Sequence, residues 1–219
     1  MMSKTTEFQG SKFYLQKGLE TTKKITAMTT SPATITIASS GYAAGDMILI
    51  AGLGGMDGYY PIKSVASDSG LITLADEVNW SQFDKVTTFT NATAAKVQFH
   101  DNFCAIKNLE QDGSSLSEQD VTTMCSEGTE TEPGEIEHGS VKLTFFLNFG
   151  SDVQKALREK FYSKETFAYV LKLKDDQGSI YGTGFVQTSM NLSGEVKGKW
   201  ESGVTIKMAK RDYHLPVTA

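Results

Sequence analysis

The residues of this sequence whose types could do chemistry are three histidines, two cysteines, a glycine cluster and an unusual concentration of carboxylates. A Ser/His/Asp catalyst needs a histidine within hydrogen-bond reach of its nucleophile. His100, His138 and His214 lie in no GxSxG or HExxH pattern, so they read as surface residues. Cys104 and Cys125 have no CxxC or Cys/His spacing around them and are expected to be thiols. Gly52, Gly54, Gly55 and Gly58 imitate a dinucleotide fingerprint. That motif requires a helix after it to hold the pyrophosphate, whereas Tyr59-Tyr60-Pro61-Ile62-Lys63 reads as strand, so a hairpin connection is expected.

The carboxylates gather between Leu109 and Gly139, where nine acids (Glu110, Asp112, Glu118, Asp120, Glu127, Glu130, Glu132, Glu135, Glu137) stand without one Lys or Arg. Glycoside hydrolysis would need two acids at a fixed separation on a rigid cleft. A calcium loop would need DxDxDG with a closing Glu, and DGSSLSEQD at 112–120 misses those positions. The expectation is no catalytic residue, no metal and no cofactor. A glycan-binding module using Tyr59, Tyr60 and Trp80 remains an alternative, set against the reading of these aromatics as core or hairpin residues.

Charge excludes some partners. Outside 109–139 the chain has 17 acidic and 21 basic residues, so its net charge of −5 comes from that one segment. The bases are scattered along strands, with Lys207 to Arg211 the densest group, which does not make a nucleic-acid groove. No apolar run reaches the roughly 18 to 20 residues needed to cross a bilayer, so no membrane partner is expected. The opening MMSKTTEFQGSKFYLQKG lacks a secretory apolar stretch, which points to folding in a cytoplasm.

The elements that must position these residues are mostly strands, as the content of Thr, Tyr and Phe suggests. SKFYLQK (11–17) makes a first strand. From Lys24 to Glu77, short alternating segments separated by turn residues about every 10 positions read as a small barrel or sandwich. WSQFDKVTTFTNATAA (80–95) is polar and reads as a joint. KVQF and FCAIKNL are strands, and SVKLTFFLNFG (140–150) alternates with Val141, Leu143, Phe145 and Leu147 on a buried face.

One helix follows. Ser151 caps it with Gln154 three residues on, as in a capping box. Val153, Ala156, Leu157 and Phe161 form its apolar face, and Gln154, Lys155, Arg158 and Glu159 the opposite one. ETFAYVLKLK, SIYGTGFVQTSMNLS and GVTIKMAKR are the remaining strands. The fold class expected is therefore mainly β with one flanking α-helix. Its larger part would be a discontinuous domain of 1–19 and 96–212, with a small all-β domain of 20–95 inserted and a C-terminal tail of 213–219.

The acidic segment is solvated in composition, yet about 30 residues of structureless loop are uncommon inside a compact domain. Leu116, Val121, Met124 and Ile136 recur through it, and QDVTTM has strand character. It reads as an arm that orders against something.

The order of features from Phe103 to Arg211 resembles a known family. A strand ends in Leu109, then come the loop SSLSEQDVTTMCSEG, Pro133-Gly134, the strand VKLTFFLNF, the helix DVQKALREKF, the pair TFAYVLKL and YGTGFVQ, and the closing VTIKMA. This succession resembles the major tail tube protein of bacteriophages with long, non-contractile tails. The resemblance implies a sandwich-like β fold with one flanking helix and, with six copies to a ring, stacked rings forming the conduit for DNA ejection. It implies that Ser114, Leu116, Glu118, Asp120, Val121, Thr122, Thr123, Met124, Glu127, Glu130, Glu132, Glu135 and Ile136 belong to an inter-subunit loop. It also implies Ser151, Val153, Gln154, Ala156, Leu157 and Phe161 as the flanking helix. Its implied partners are other copies of the chain, a tape measure protein, tail tip and terminator proteins, and DNA that passes without specific binding. The implied location is the virion tail, assembled in the host bacterial cytoplasm. A tail terminator or a baseplate or hub ring shares the fold and stays open. The 20–95 module departs from the family pattern and is expected to project outward.

Overall fold

A computed structural model describes residues 7–66, 69–83 and 86–216. The strands in chain order are β1 (Lys12–Leu19), β2 (Lys23–Lys24), β3 (Ala27–Thr30), β4 (Ala33–Thr36), β5 (Met47–Ala51), β6 (Gly58–Ala66), β7 (Leu71–Leu74) and β8 (Thr93–Phe99). They continue with β9 (Ile106–Gln111), β10 (Ser115–Asp120), β11 (Thr131–Glu137) and β12 (Ser140–Phe146). The helix α1 (Asp152–Ser163) precedes β13 (Phe167–Lys172), β14 (Ser179–Thr188), β15 (Glu201–Met208) and β16 (Tyr213–Leu215). The chain is mainly β with one α-helix among the described residues, as its composition implied.

Two compact units divide the chain: Met1–Cys104, Phe167–Thr183 and Asp212–Ala219 form one, and Ala105–Thr166 with Gly184–Arg211 form the other. In the first unit the strands pair antiparallel in the order β3-β4-β7-β6-β5-β8-β1-β13, with β2 beside β8 and β16 beside β14. Alternation sets which side chains go inward: Phe13 and Leu15 on β1 are buried, as are Ile48 and Ile50 on β5. The glycine cluster is the β5–β6 connection: a short 3-10 turn at Gly54–Met56 leads straight into β6, and no helix follows. Asp57 ties this turn down, its carboxylate accepting from the backbone N–H of Gly52 at 3.1 Å and of Leu53 at 2.7 Å.

This division cuts across the boundaries drawn at 20 and 95. One hydrophobic cluster joins Ile35, Ile48, Ile72 and Trp80 to Ala168, Val170, Tyr181 and Tyr213. The stretch read as a polar joint contributes Trp80, Ala92 and Ala94 to that core, each at most 1% exposed. Its apolar residues are too sparse to show a period, and burial there is decided by non-local packing. The tail expected from 213 also begins as structure, because Tyr213 is buried and β16 pairs with β14; residues 217–219 lie outside the described residues.

In the second unit β15 lies between the end of β14 and β12, and β12 pairs with β9, the last strand in the order. Val141, Leu143 and Phe145 alternate inward on β12, and Val204, Ile206 and Met208 on β15. Lys142, Thr144 and Phe146 of β12 occupy the other face, where Lys142 stands opposite Glu110 and Thr205 in register.

Ser151 caps α1, its hydroxyl accepting from the Gln154 N–H. The reciprocal half of the capping box is absent. Gln154 was expected on the solvent face but is 3% exposed. Its Nε2 donates to the Phe146 carbonyl and its Oε1 accepts from the Asn148 N–H, both at 2.9 Å. Helical periodicity places Gln154 beside buried Val153, and a long polar side chain goes inward when the backbone beneath offers both a donor and an acceptor. Leu157 is fully buried, whereas Ala156 and Phe161 of the expected apolar face are only partly so.

Candidate assembly surface

The acidic segment is a β-hairpin. β9 and β12 form an antiparallel ribbon inside the sheet, and the same two chains continue beyond it as β10 and β11, which pair only with each other among the described residues. At about 3.4 Å per residue, the six-residue β10 extends about 20 Å before the turn. No residue of β10 or β11 is buried, and all but Gly134 are exposed. A lone two-stranded hairpin is marginal in water, so its order draws on local devices at three places.

At the root, Asp112 N–H donates to the Ser140 carbonyl at 2.8 Å. The Asp112 carboxylate accepts from Ser140 Oγ at 2.9 Å and pairs with Lys142 Nζ at 3.0 Å. The hydrogen bond from Lys142, then that from Ser140, hold the Asp112 carboxyl below its ordinary range, and the Asp112 bond pushes the Lys142 ammonium up. Gly139 fits because it lacks a Cβ, which would stand 1.9 Å from the Asp112 carbonyl oxygen.

Midway, the pairing slips between Leu116 and Glu118, and Ser117 fills the bulge: its hydroxyl accepts from the Glu135 N–H at 2.8 Å and donates to the Glu135 carbonyl at 3.2 Å. At the tip, the Asp120 carboxylate accepts from the Thr122 N–H at 2.9 Å, and hydrogen bonds from Thr122, first its side chain and then its backbone, hold the carboxyl below its ordinary range. Thr122 Oγ1 accepts from the Glu130 N–H at 3.0 Å, and Ser126 Oγ from the Thr123 N–H at 3.0 Å.

The residues expected in an inter-subunit loop are distributed along this hairpin. Ser114 precedes β10; Leu116, Glu118 and Asp120 lie on it; Val121, Thr122, Thr123, Met124, Glu127 and Glu130 form the turn; Glu132, Glu135 and Ile136 lie on β11. Leu116 and Ile136 are register partners, 59% and 60% exposed, and so make an apolar pair on a strand face turned to solvent. Met124 at the tip is fully exposed. The roles of Asp112, Ser117, Gly139 and Lys142 escaped the sequence reading; the only local signal was glycine near both ends of the acidic run, at Gly113 and Gly139.

A second feature of this unit is a groove of about 300 Å³ beside α1, lined by Leu147, Phe149, Lys155, Arg158, Tyr162 and Leu192 among others. Phe149, Tyr162 and Leu192 are 77%, 69% and 60% exposed, so its rim is apolar and open. The aromatics considered for glycan recognition do not form such a surface. Tyr60 is 7% and Trp80 1% exposed, packed edge to face at 5.4 Å, with Trp80 Nε1 donating to Tyr60 Oη at 3.3 Å. Among the described residues no group of three or more His, Cys, Asp or Glu is placed to hold a metal ion.

No family model and no curated protein matches this chain. Among solved structures, the SPP1 tail tube determined by solid-state NMR and cryo-EM is similar over 53% of this chain and 68% of that one, at 16% identity and a TM-score of 0.40. The virion of a native gene transfer agent particle is similar over 54% of this chain and 89% of that one, at 16% identity and a TM-score of 0.43. The tail of an empty gene transfer agent particle, refined helically with C6 symmetry, is similar over 55% of this chain and 87% of that one, at 18% identity and a TM-score of 0.42.

Proposed function

We propose that this protein is a structural subunit of a phage-type tail tube: copies close into rings, six to a ring, and the rings stack into a conduit for DNA. The observation that carries the reading is the β10–β11 hairpin, held at root, bulge and tip yet burying no side chain of its own. An apolar cross-strand pair kept in water has no use in a monomer and becomes a contact once a second copy covers it. β9 ends its sheet, and an edge strand is an assembly surface when the partner is an identical chain. Head-to-tail contacts that close by rotation give rings.

The face of β12 bearing Lys142 and Thr144, with Glu110 of β9 in register, carries both signs of charge and suits a bore past which DNA slides without sticking. Residues 20–95 project outward in this reading. The expected partners are other copies of the chain, a tape measure protein and the tail tip and terminator proteins; the expected place is the virion tail, after assembly in the host bacterial cytoplasm. Negative-stain microscopy of concentrated, seeded protein tests the reading. Rings or tubes of uniform diameter support it, and a protein that stays monomeric overturns it.

A further inference from the structure

We propose that the groove beside α1 is the receptor for the β10–β11 hairpin of a second copy, a contact that rests on the tube-subunit reading above. Three observations on one unit lead to it. The groove presents Phe149, Tyr162 and Leu192 at its open apolar rim, with Lys155 and Arg158 of α1 among them. The hairpin presents the complement: the apolar pair Leu116 and Ile136, flanked by Glu118, Glu135 and Glu137, in a segment with nine carboxylates and no base. The chain does not satisfy this match itself, since Leu116 and Ile136 remain about three-fifths exposed.

Charge and shape select the same occupant. Lys155 lies 3.6 Å from Asp152, an exposed pair on one helix that contributes little and does not hold the ammonium away from another acid. Arg158 offers a planar donor fork that matches a carboxylate in two-point contact. The pocket is small enough to be filled by one or two aliphatic side chains, and the cross-strand pair delivers two at once, with Glu118 two positions beyond Leu116 along β10. Donor and receptor are different surfaces of one chain, so the contact repeats from copy to copy without being used up.

The test uses the full chain. A photo-crosslinking benzoylphenylalanine replaces exposed Tyr162, and equal amounts of nitrogen-15-labelled and unlabelled protein are mixed, assembled and irradiated. Heavy–light crosslinks from the 162 peptide to residues 114–139 are expected. Crosslinks from assembled protein that fall elsewhere overturn the proposal. In parallel, Lys155→Glu with Arg158→Glu should raise the protein concentration needed for assembly at least tenfold, and Glu118→Lys with Glu135→Lys should restore it. If the wild type assembles and the double variant assembles equally well, the receptor assignment is wrong and the tube-subunit reading stands. If the wild type does not assemble, both fall.

Discussion

Lys142 Nζ stands 3.0 Å from Asp112 Oδ2, across the point where the ribbon of β9 and β12 leaves its sheet and becomes the free hairpin. Two residues 30 positions apart thus clasp the base of the arm, with Ser140 as the second donor. The clasp makes the arm's order separable from the stability of the fold.

Asp112→Asn should speed amide hydrogen exchange across 115–137 at neutral pH while leaving the melting temperature nearly unchanged, since the pair is solvent-exposed. The pH profile of the wild type follows from the shifts. The depressed carboxyl of Asp112 contributes above its unfolded value near 3.8 and is lost as pH falls through the still lower folded one. The raised Lys142 contributes below 10.5 and is lost only as pH rises through a higher folded value. After correction for intrinsic exchange, protection of the hairpin should be flat from pH 5 to 9 and fall below about pH 4. A change within the flat window would contradict the clasp.

Gly139→Ala adds a Cβ 1.9 Å from the Asp112 carbonyl oxygen, and backbone must move to admit it. A cost of about 1 to 3 kcal/mol is expected in denaturant unfolding, with assembly lost at concentrations where the wild type assembles. An unchanged midpoint would show that the root relaxes freely.

Gln154→Ala leaves the Phe146 carbonyl and Asn148 N–H without their partner at a buried position, which should cost about 1 to 3 kcal/mol. Gln154→Glu keeps the acceptor for Asn148 but removes the donor to Phe146. It too should destabilise, more so above the carboxyl's titration than below it. Thermal melts at two pH values check both.

Leu157→Ala and Tyr162→Ala divide stability from assembly on one helix. Leu157 is fully buried, and its truncation should cost about 2 to 5 kcal/mol. Tyr162 is 69% exposed, so Tyr162→Ala should change stability by no more than about 0.5 kcal/mol while weakening assembly in light scattering. Equal assembly in the Tyr162 variant would count against the groove.

Excision of residues 22–93 should do more than remove a decoration. Ile25, Ile48 and Trp80 share a cluster with Ala168, Val170, Tyr181 and Tyr213, so the cut exposes core from both sides of the break. Aggregation of the shortened chain is expected in size-exclusion chromatography; a monodisperse product would show that the remainder closes over.

Local pattern was enough for much of this protein. The period of two in Val141, Leu143 and Phe145, the cap at Ser151 and the strand after the glycine cluster each fix an element through its neighbours in sequence, because side-chain direction along a strand or helix is set by backbone geometry. The acid run likewise marked 109–139 as distinct. What the tertiary structure alone decided is everything that depends on distant partners. Gln154 turns inward because two backbone groups of 146–148 await it, and Trp80 is buried in a stretch that reads as polar. β1, β13 and β16 join the strands of 20–95, and Asp112 meets Lys142 only through the register of β9 on β12. Pairing register and shared burial are non-local quantities, summed over contacts between segments far apart in the chain, and no window of sequence contains them.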